Sequence, residues 1–197
     1  MMTEKEKSLL GYMYNPMEEG LVQDRKVAKD LYFEYNHTLP SNYKKRTEIM
    51  KKLLGQIKGN FLIEQPFYCT YGYNISVGDN FFANIGCTIS DGAKVTIGDN
   101  VFVAPHVSFL TEGHAFLPDL RNDGWEYAYP ITVGNNVWIC ANVSILPGVA
   151  IGDNCIIGAG SVVTKDIPSG MLAYGNPCRV IRPIIEEDKN KFKWFEE

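Results

Sequence analysis

The chain has 197 residues, 45% hydrophobic and 21% charged, with a net charge of −4 at pH 7; this suits one sizeable core rather than two large domains and excludes the basic face of a general nucleic-acid binder. No apolar run reaches the roughly 18 residues that span a bilayer, and the charged start Met1-Met2-Thr3-Glu4-Lys5 lacks the apolar centre of a secretory leader. Five cysteines without a CxxC pair favour reduced thiols in a cytoplasmic setting over disulfides or a zinc site.

Residues 1–59 read as a helical cap. Thr3 with Glu6 has the capping-box pattern, and Leu9, Leu10 and Met13 share one helical side before Asn15-Pro16 interrupts. A second helix is predicted from a cap at Asp24 through Val27, Leu31 and Tyr35, ending near residues 37–40. A third starts at Ser41, carries Tyr43, Met50, Leu53 and Leu54 inward, and stops at Gly55. Such a cap is expected at the end of a solenoid, where strand edges and core need cover.

From residue 60 to 183 the period changes to six. Val133, Ile139, Ile145, Ile151, Ile157 and Val163 form one row, and Val137, Val143, Val149, Cys155, Ser161 and Ile167 form a second. The first row has the same phase upstream at Val77, Ala83 and Ile89, and resumes after a two-residue insertion at Ile97, Val103 and Phe109. Neither a helix nor a simple strand has this period; a parallel β-helix does, one hexapeptide for each flat side. Corners fall at Gly78-Asp79-Asn80, Gly98-Asp99-Asn100, Gly134-Asn135-Asn136 and Gly152-Asp153-Asn154, residues that tolerate positive φ. Periodicity alone leaves the handedness open.

Residues 111–130 break the rhythm and read as a loop projecting from the coil. Loops of about 20 residues in compact domains are uncommon and usually functional. Residues 184–197 form a C-terminal tail, expected to be helical.

Tyr71-Gly72-Tyr73-Asn74, Asn84, the turn Thr111-Glu112-Gly113-His114, and the runs Pro130-Ile131-Thr132-Val133-Gly134 and Gly175-Asn176-Pro177-Cys178-Arg179 together resemble the maltose and galactoside O-acetyltransferase family. The likeness covers nearly the whole chain, including Tyr35-Asn36-His37. It implies a left-handed parallel β-helix, a homotrimer with active sites between chains, and acetyl-CoA held in a groove between neighbouring coils. It implies no metal.

Of three histidines, His37 sits at a helix end, where it meets the dipole or packs, and His106 lies within a regular repeat, facing outward. His114 follows a glycine at the root of the loop and has no place in the apolar rows. Imidazole ordinarily titrates at about pH 6.5, so it is available as the base that a hydroxyl nucleophile needs. The resemblance gives His114 that role; its position alone also suits an exposed loop histidine.

The resemblance places Asn84 beside the reacting carbonyl, where an amide stabilises an oxyanion by about 3–4 kcal/mol; position alone makes it a corner asparagine. It assigns Thr70, Asp91 and Gly113 to the substrate site. Trp125 and Glu126 suit the same site, an aromatic face stacking on a sugar while a carboxylate accepts from its hydroxyls; Trp125 equally suits pinning the loop. The chain departs from the galactoside enzyme at Gly92 and in Tyr14-Asn15-Pro16-Met17, where that enzyme carries acids. For acetyl-CoA, Ala141 and Ala159 match positions along the pantetheine arm, Trp138 packs beside the arm or on the coil, and Thr164, Lys165, Arg179 and Arg182 suit the phosphate end. Cys140 replaces the family's usual glycine.

The alternatives differ in class. A hexapeptide acyltransferase with a xenobiotic or amino-sugar acceptor keeps the fold and changes the substrate. A zinc β-helix enzyme needs three histidine ligands, and His37 lies in the cap. A non-catalytic scaffold does not explain His114, Asn84 and the Arg179 run together.

Overall fold

The structure, a computed structural model, describes residues 2–191 and 193. Helix α1 (Glu4–Leu9) begins at the expected capping box: Thr3 Oγ1 accepts the Glu6 N–H at 3.2 Å, and the Glu6 carboxylate accepts the Thr3 N–H at 2.7 Å. Gly11, at φ 77°, follows directly, so the helix never reaches Met13. Leu10 and Met13, expected on one helical side with Leu9, lie beyond the helix and are exposed.

Helix α2 (Glu19–His37) starts five residues before the expected cap at Asp24, because Glu18 accepts the N–H of Leu21 and takes the capping role. Its buried positions are Leu21, Ala28 and Tyr35, while Val27 is exposed. Helix α3 (Tyr43–Leu53) is capped by Asn42 rather than Ser41, and Tyr43 points outward; Ile49, Met50 and Leu53 turn inward with Arg46. The Arg46 guanidinium joins the cap to the first coil, donating to the carbonyls of Pro40 at 3.0 Å and Ile63 at 2.6 Å and to Glu64 at 3.1 Å.

The rest of the chain winds as a parallel β-solenoid with three sheets of five, seven and five strands. The sixfold rows stack as expected. Val77 pairs with Ile97, Ile97 with Val133 and Val133 with Ile151; Ala83, Val103, Ile139 and Ile157 form the second stack; Ile89, Phe109, Ile145 and Val163 form the third. All twelve are buried, each large aliphatic side chain contributing about 1.5–3 kcal/mol. The second row is buried throughout; its one hydroxyl, Ser161, donates to Gly158 O and accepts from Gly175 N.

Corners are built from side-chain ladders. Asn80, Asn100, Asn136 and Asn154 all lie at φ between 54° and 58°, and their amides pair between coils, Asn80 to Asn100 at 2.9 Å and Asn136 to Asn154 at 3.0 Å. One residue earlier, Asp99, Asn135 and Asp153 each accept a backbone N–H from the coil before. The solenoid ends in an antiparallel pair, Met171–Tyr174 with Arg179–Pro183. Of the expected tail helix, Glu186–Lys191 forms a 3-10 turn; residues 192 and 194–197 lie outside the described residues. All five cysteines are unpaired, and no helix among the described residues is long and apolar enough to cross a membrane.

Candidate active site

The excursion at residues 111–130 is a two-stranded ribbon rather than an irregular loop. Glu112–His114 pairs antiparallel with Glu126–Ala128, setting His114 opposite Glu126, and the short helix α4 (Pro118–Asn122) closes its tip. Tyr14 of the cap joins the ribbon edge through two backbone bonds to Glu126, 2.9 and 3.1 Å long. Cap, coil and ribbon therefore meet at one place.

A cavity of about 460 Å³ opens there, lined by Pro16, Met17 and Arg25 from the cap, Thr70, Tyr71 and Ser90 from the coil, and Glu112, Gly113, His114 and Glu126 from the ribbon. The His114 side chain is 57% exposed, and its Nε2 lies 3.8 Å from Glu126 Oε1. The other Glu126 oxygen accepts from the buried Tyr14 hydroxyl at 2.8 Å; burial and the carboxylate hold that phenol far above its ordinary range. The carboxylate is thus oriented from behind and faces the imidazole. Arg25 Nη1 donates to the Tyr71 hydroxyl at 3.0 Å. Burial pushes the Glu112 carboxyl up to about 8, with the charges of Asp91 and Glu126 adding to the shift.

Three of the expected substrate residues, Thr70, Gly113 and Glu126, line this cavity with the expected base, His114. Asp91 does not. It is fully buried beneath the Thr70–Asn74 turn and accepts the N–H groups of Thr70, Tyr71 and Asn74 at 3.0, 2.7 and 3.3 Å. Burial pushes its carboxyl up to about 6 against the pull of those donors. Its lone pairs hold a turn and are not offered to a ligand. Trp125 also lies outside the cavity; its N–H bonds Leu120 O at 3.1 Å and its carbonyl takes the Ala115 N–H at 3.3 Å, which shapes the loop. Sequence reasoning missed Arg25, Ser90 and Glu112. Glu112 stands two residues from His114, a spacing that puts both on one face only because the segment is a strand.

The expected cofactor residues fall elsewhere on the chain. Asn84 and Trp138 line an apolar groove with Phe82, Phe102, Val103 and Ala104, on an outward row in which Leu62, Phe82, Phe102, Trp138 and Ile156 stack coil by coil. Asn84 Oδ1 accepts the Ile85 N–H at 2.8 Å, so the donor end of the amide is what it offers a ligand. Ala141 and Ala159 sit on adjacent coils, joined by a 2.9 Å bond from Gly160 N to Ala141 O. Thr164 borders a different apolar cleft, with Phe116, Leu117 and Leu146; Lys165 is exposed beside it. The expected Arg179/Arg182 anion pair does not hold as drawn. Arg182 is already bound bidentately to Asp188 at 2.8 Å twice over, holding that carboxyl well below its ordinary range, whereas Arg179 donates to the carbonyl of Cys178 at 2.9 Å. Within one chain, then, His114 and Asn84 line separate cavities.

Residues 7–59 match the maltose acetyltransferase hexapeptide capping motif, and residues 130–165 match the bacterial transferase hexapeptide of six repeats. The chain is 48% identical over 191 residues to a galactoside O-acetyltransferase of Escherichia coli (strain K12), spanning 97% of this chain and 93% of that one. A maltose O-acetyltransferase from Clostridium difficile 630 has the same fold with a TM-score of 0.91 at 51% identity, over 94% of this chain and 99% of that one. A galactoside acetyltransferase in complex with coenzyme A matches with a TM-score of 0.92 at 46% identity, over 100% and 98% of the two chains.

Proposed function

The chain belongs to the hexapeptide-repeat family of maltose and galactoside O-acetyltransferases, and we propose that it moves the acetyl group of acetyl-CoA to a sugar hydroxyl with His114 as general base. The observation that carries this reading is the pairing of His114 with an oriented Glu126 over a cavity edged by Thr70, Ser90 and Arg25. The imidazole takes the hydroxyl proton as the oxygen attacks the thioester carbon. The tetrahedral oxyanion collapses with loss of the C–S bond, and the ring returns its proton to the departing thiolate. Glu126 stabilises the protonated ring between the two transfers.

Acetyl-CoA lies with its arm along Ala141, Ala159 and the Trp138 groove, and Arg179 and Lys165 meet its phosphates. Asn84 donates to the oxyanion. Because Asn84 and His114 line separate cavities in one chain, three chains assemble so that His114 of one faces Asn84 of its neighbour. The enzyme works in the cytoplasm, where its thiols stay reduced.

The test is thiol release from acetyl-CoA in the presence of maltose, glucose, galactosides and aminoglycosides. Sugar-dependent release with an O-acetylated product is expected. Release only with amine acceptors would replace the sugar reading, and none with any acceptor would refute it.

A further inference from the structure

The ribbon brings a second carboxyl to the cavity that the reaction above leaves unused. Glu112 and His114 alternate along one strand, so their side chains leave the same face of the ribbon, and both line the cavity. The Glu112 carboxyl reaches the coil, where the Ser90 hydroxyl donates to its Oε2; Ser90 Oγ lies in turn 3.2 Å from Thr70 Oγ1. Gly92 makes room for it. A Cβ at residue 92 would come within 2.4 Å of Glu112 Cγ and 2.6 Å of its Oε1, so the carboxyl fills the space a side chain there would take. Burial beside Asp91 and Glu126 makes this an unfavourable place for a carboxylate. An acid held against that penalty in the wall of a cavity points to a ligand.

On the footing of the acetyl-transfer reading, we propose that Glu112 binds the acceptor: its carboxyl hydrogen-bonds the hydroxyl next to the one that His114 deprotonates, so that the cavity selects neutral polyols with two neighbouring hydroxyls. Residues two apart on a strand are roughly 7 Å apart, a span that adjacent hydroxyls of one ring bridge between two converging side chains. An anionic acceptor meets Glu126 on the same wall, and Glu112 as well once that acid ionises. Arg25, across the cavity, has its guanidinium turned to Tyr71.

The experiment uses Glu112→Ala and the isosteric Glu112→Gln with methyl α-D-glucopyranoside, its four monodeoxy analogues and methyl β-D-galactopyranoside. Thiol release reads transfer, and calorimetric titration reads binding to the free protein. With the parent glycoside, Glu112→Ala is expected to lower acceptor kcat/KM and affinity by about 10–100-fold, the range for losing one such bond, with the acetyl-CoA KM within about twofold. The loss nearly vanishes with the one deoxy analogue that lacks the contacted hydroxyl, and Glu112→Gln, which keeps a polar amide there, loses less. Gly92→Ala, which displaces the carboxyl without removing it, reproduces the selective loss. A uniform loss across all analogues, or none, overturns the proposal. Wild-type protein that binds the glycosides yet transfers nothing refutes sugar acetylation while the titrations still decide Glu112; binding of none of them overturns both.

Discussion

His114 has few contacts to lose. Its side chain is mostly exposed and its charged neighbour, Glu126, stands at 3.8 Å, so His114→Ala is expected to lower acetyl transfer by about 10²–10⁴-fold while leaving acetyl-CoA affinity and Tm nearly unchanged. Near-normal turnover in steady-state assays would assign the base elsewhere. Glu112 behaves in the opposite way, because its charge is unwelcome in the folded state. Folding raises this carboxyl from 4.5 to about 8, so the folded protein binds the proton more tightly than the unfolded chain. Its contribution to stability is present below about pH 4.5 and is lost as pH climbs to about 8. Glu112→Gln stays neutral throughout. It is expected to match wild type in acid and to exceed it in Tm by a margin that grows to about pH 8 and then levels off; a constant offset across a pH 4–9 melting series would discount burial as the cause. The two residues were not equally legible. His114 stood out because it broke the apolar rows, whereas the role of Glu112 depends on residues 112–114 being a strand, which nothing in the irregular stretch announced. Asp91 misled for a related reason: its burial comes from the Thr70–Asn74 turn folding over it, a long-range fact.

At the scale of elements, the coils were legible because stacking imposes the period directly: each Val or Ile of a row sits on its counterpart one coil away, as Ile139 does on Val103 and Ile157. Helix ends were less so. Asp24 is the residue type that N-caps favour, yet the carboxylate of Glu18 reaches the Leu21 N–H and caps the helix, which starts five residues before Asp24. The ribbon escaped notice because its strands pair with each other and follow no coil's row. The corners allow a sharper test. Asn136 lies at φ 56° and its amide bonds Asn154 at 3.0 Å, so two separable terms hold this turn. Asn136→Ala loses the amide pair and keeps a Cβ in the left-handed region, a cost of about 1–2 kcal/mol that asparagine tolerates better than alanine; Asn136→Gly loses the pair but sheds that cost. Urea unfolding is expected to rank stability as wild type, then Gly, then Ala. Ala equal to Gly would show that the left-handed backbone costs nothing at this corner.

The whole molecule presents surfaces that one chain leaves open. Phe102 and Trp138 stand 45% and 49% exposed on the outward row, and Phe116 stands 88% exposed near the ribbon tip. Large apolar side chains so placed call for cover, and a cyclic trimer supplies it if the ribbon of each chain reaches the row of the next. A trimer of 22.2 kDa chains is expected, a particle of about 67 kDa with cyclic symmetry, and its mass is read by light scattering. Mass alone does not locate the active site; complementation does. His114→Ala and Asn84→Ala are each expected to be nearly inactive as homotrimers. When the two are unfolded together in equal amounts and refolded, a site between chains regains both residues wherever an intact histidine from one variant meets an intact asparagine from the other. Random assembly gives that arrangement at about a quarter of all sites in a cyclic trimer, so activity is expected to return to about a quarter of wild type. Sites contained within single chains would gain nothing from mixing, because every chain still lacks one of the two groups. Refolded mixtures of the wild-type mass that stay inactive would therefore place His114 and Asn84 in one chain's site and remove the reason for sharing it.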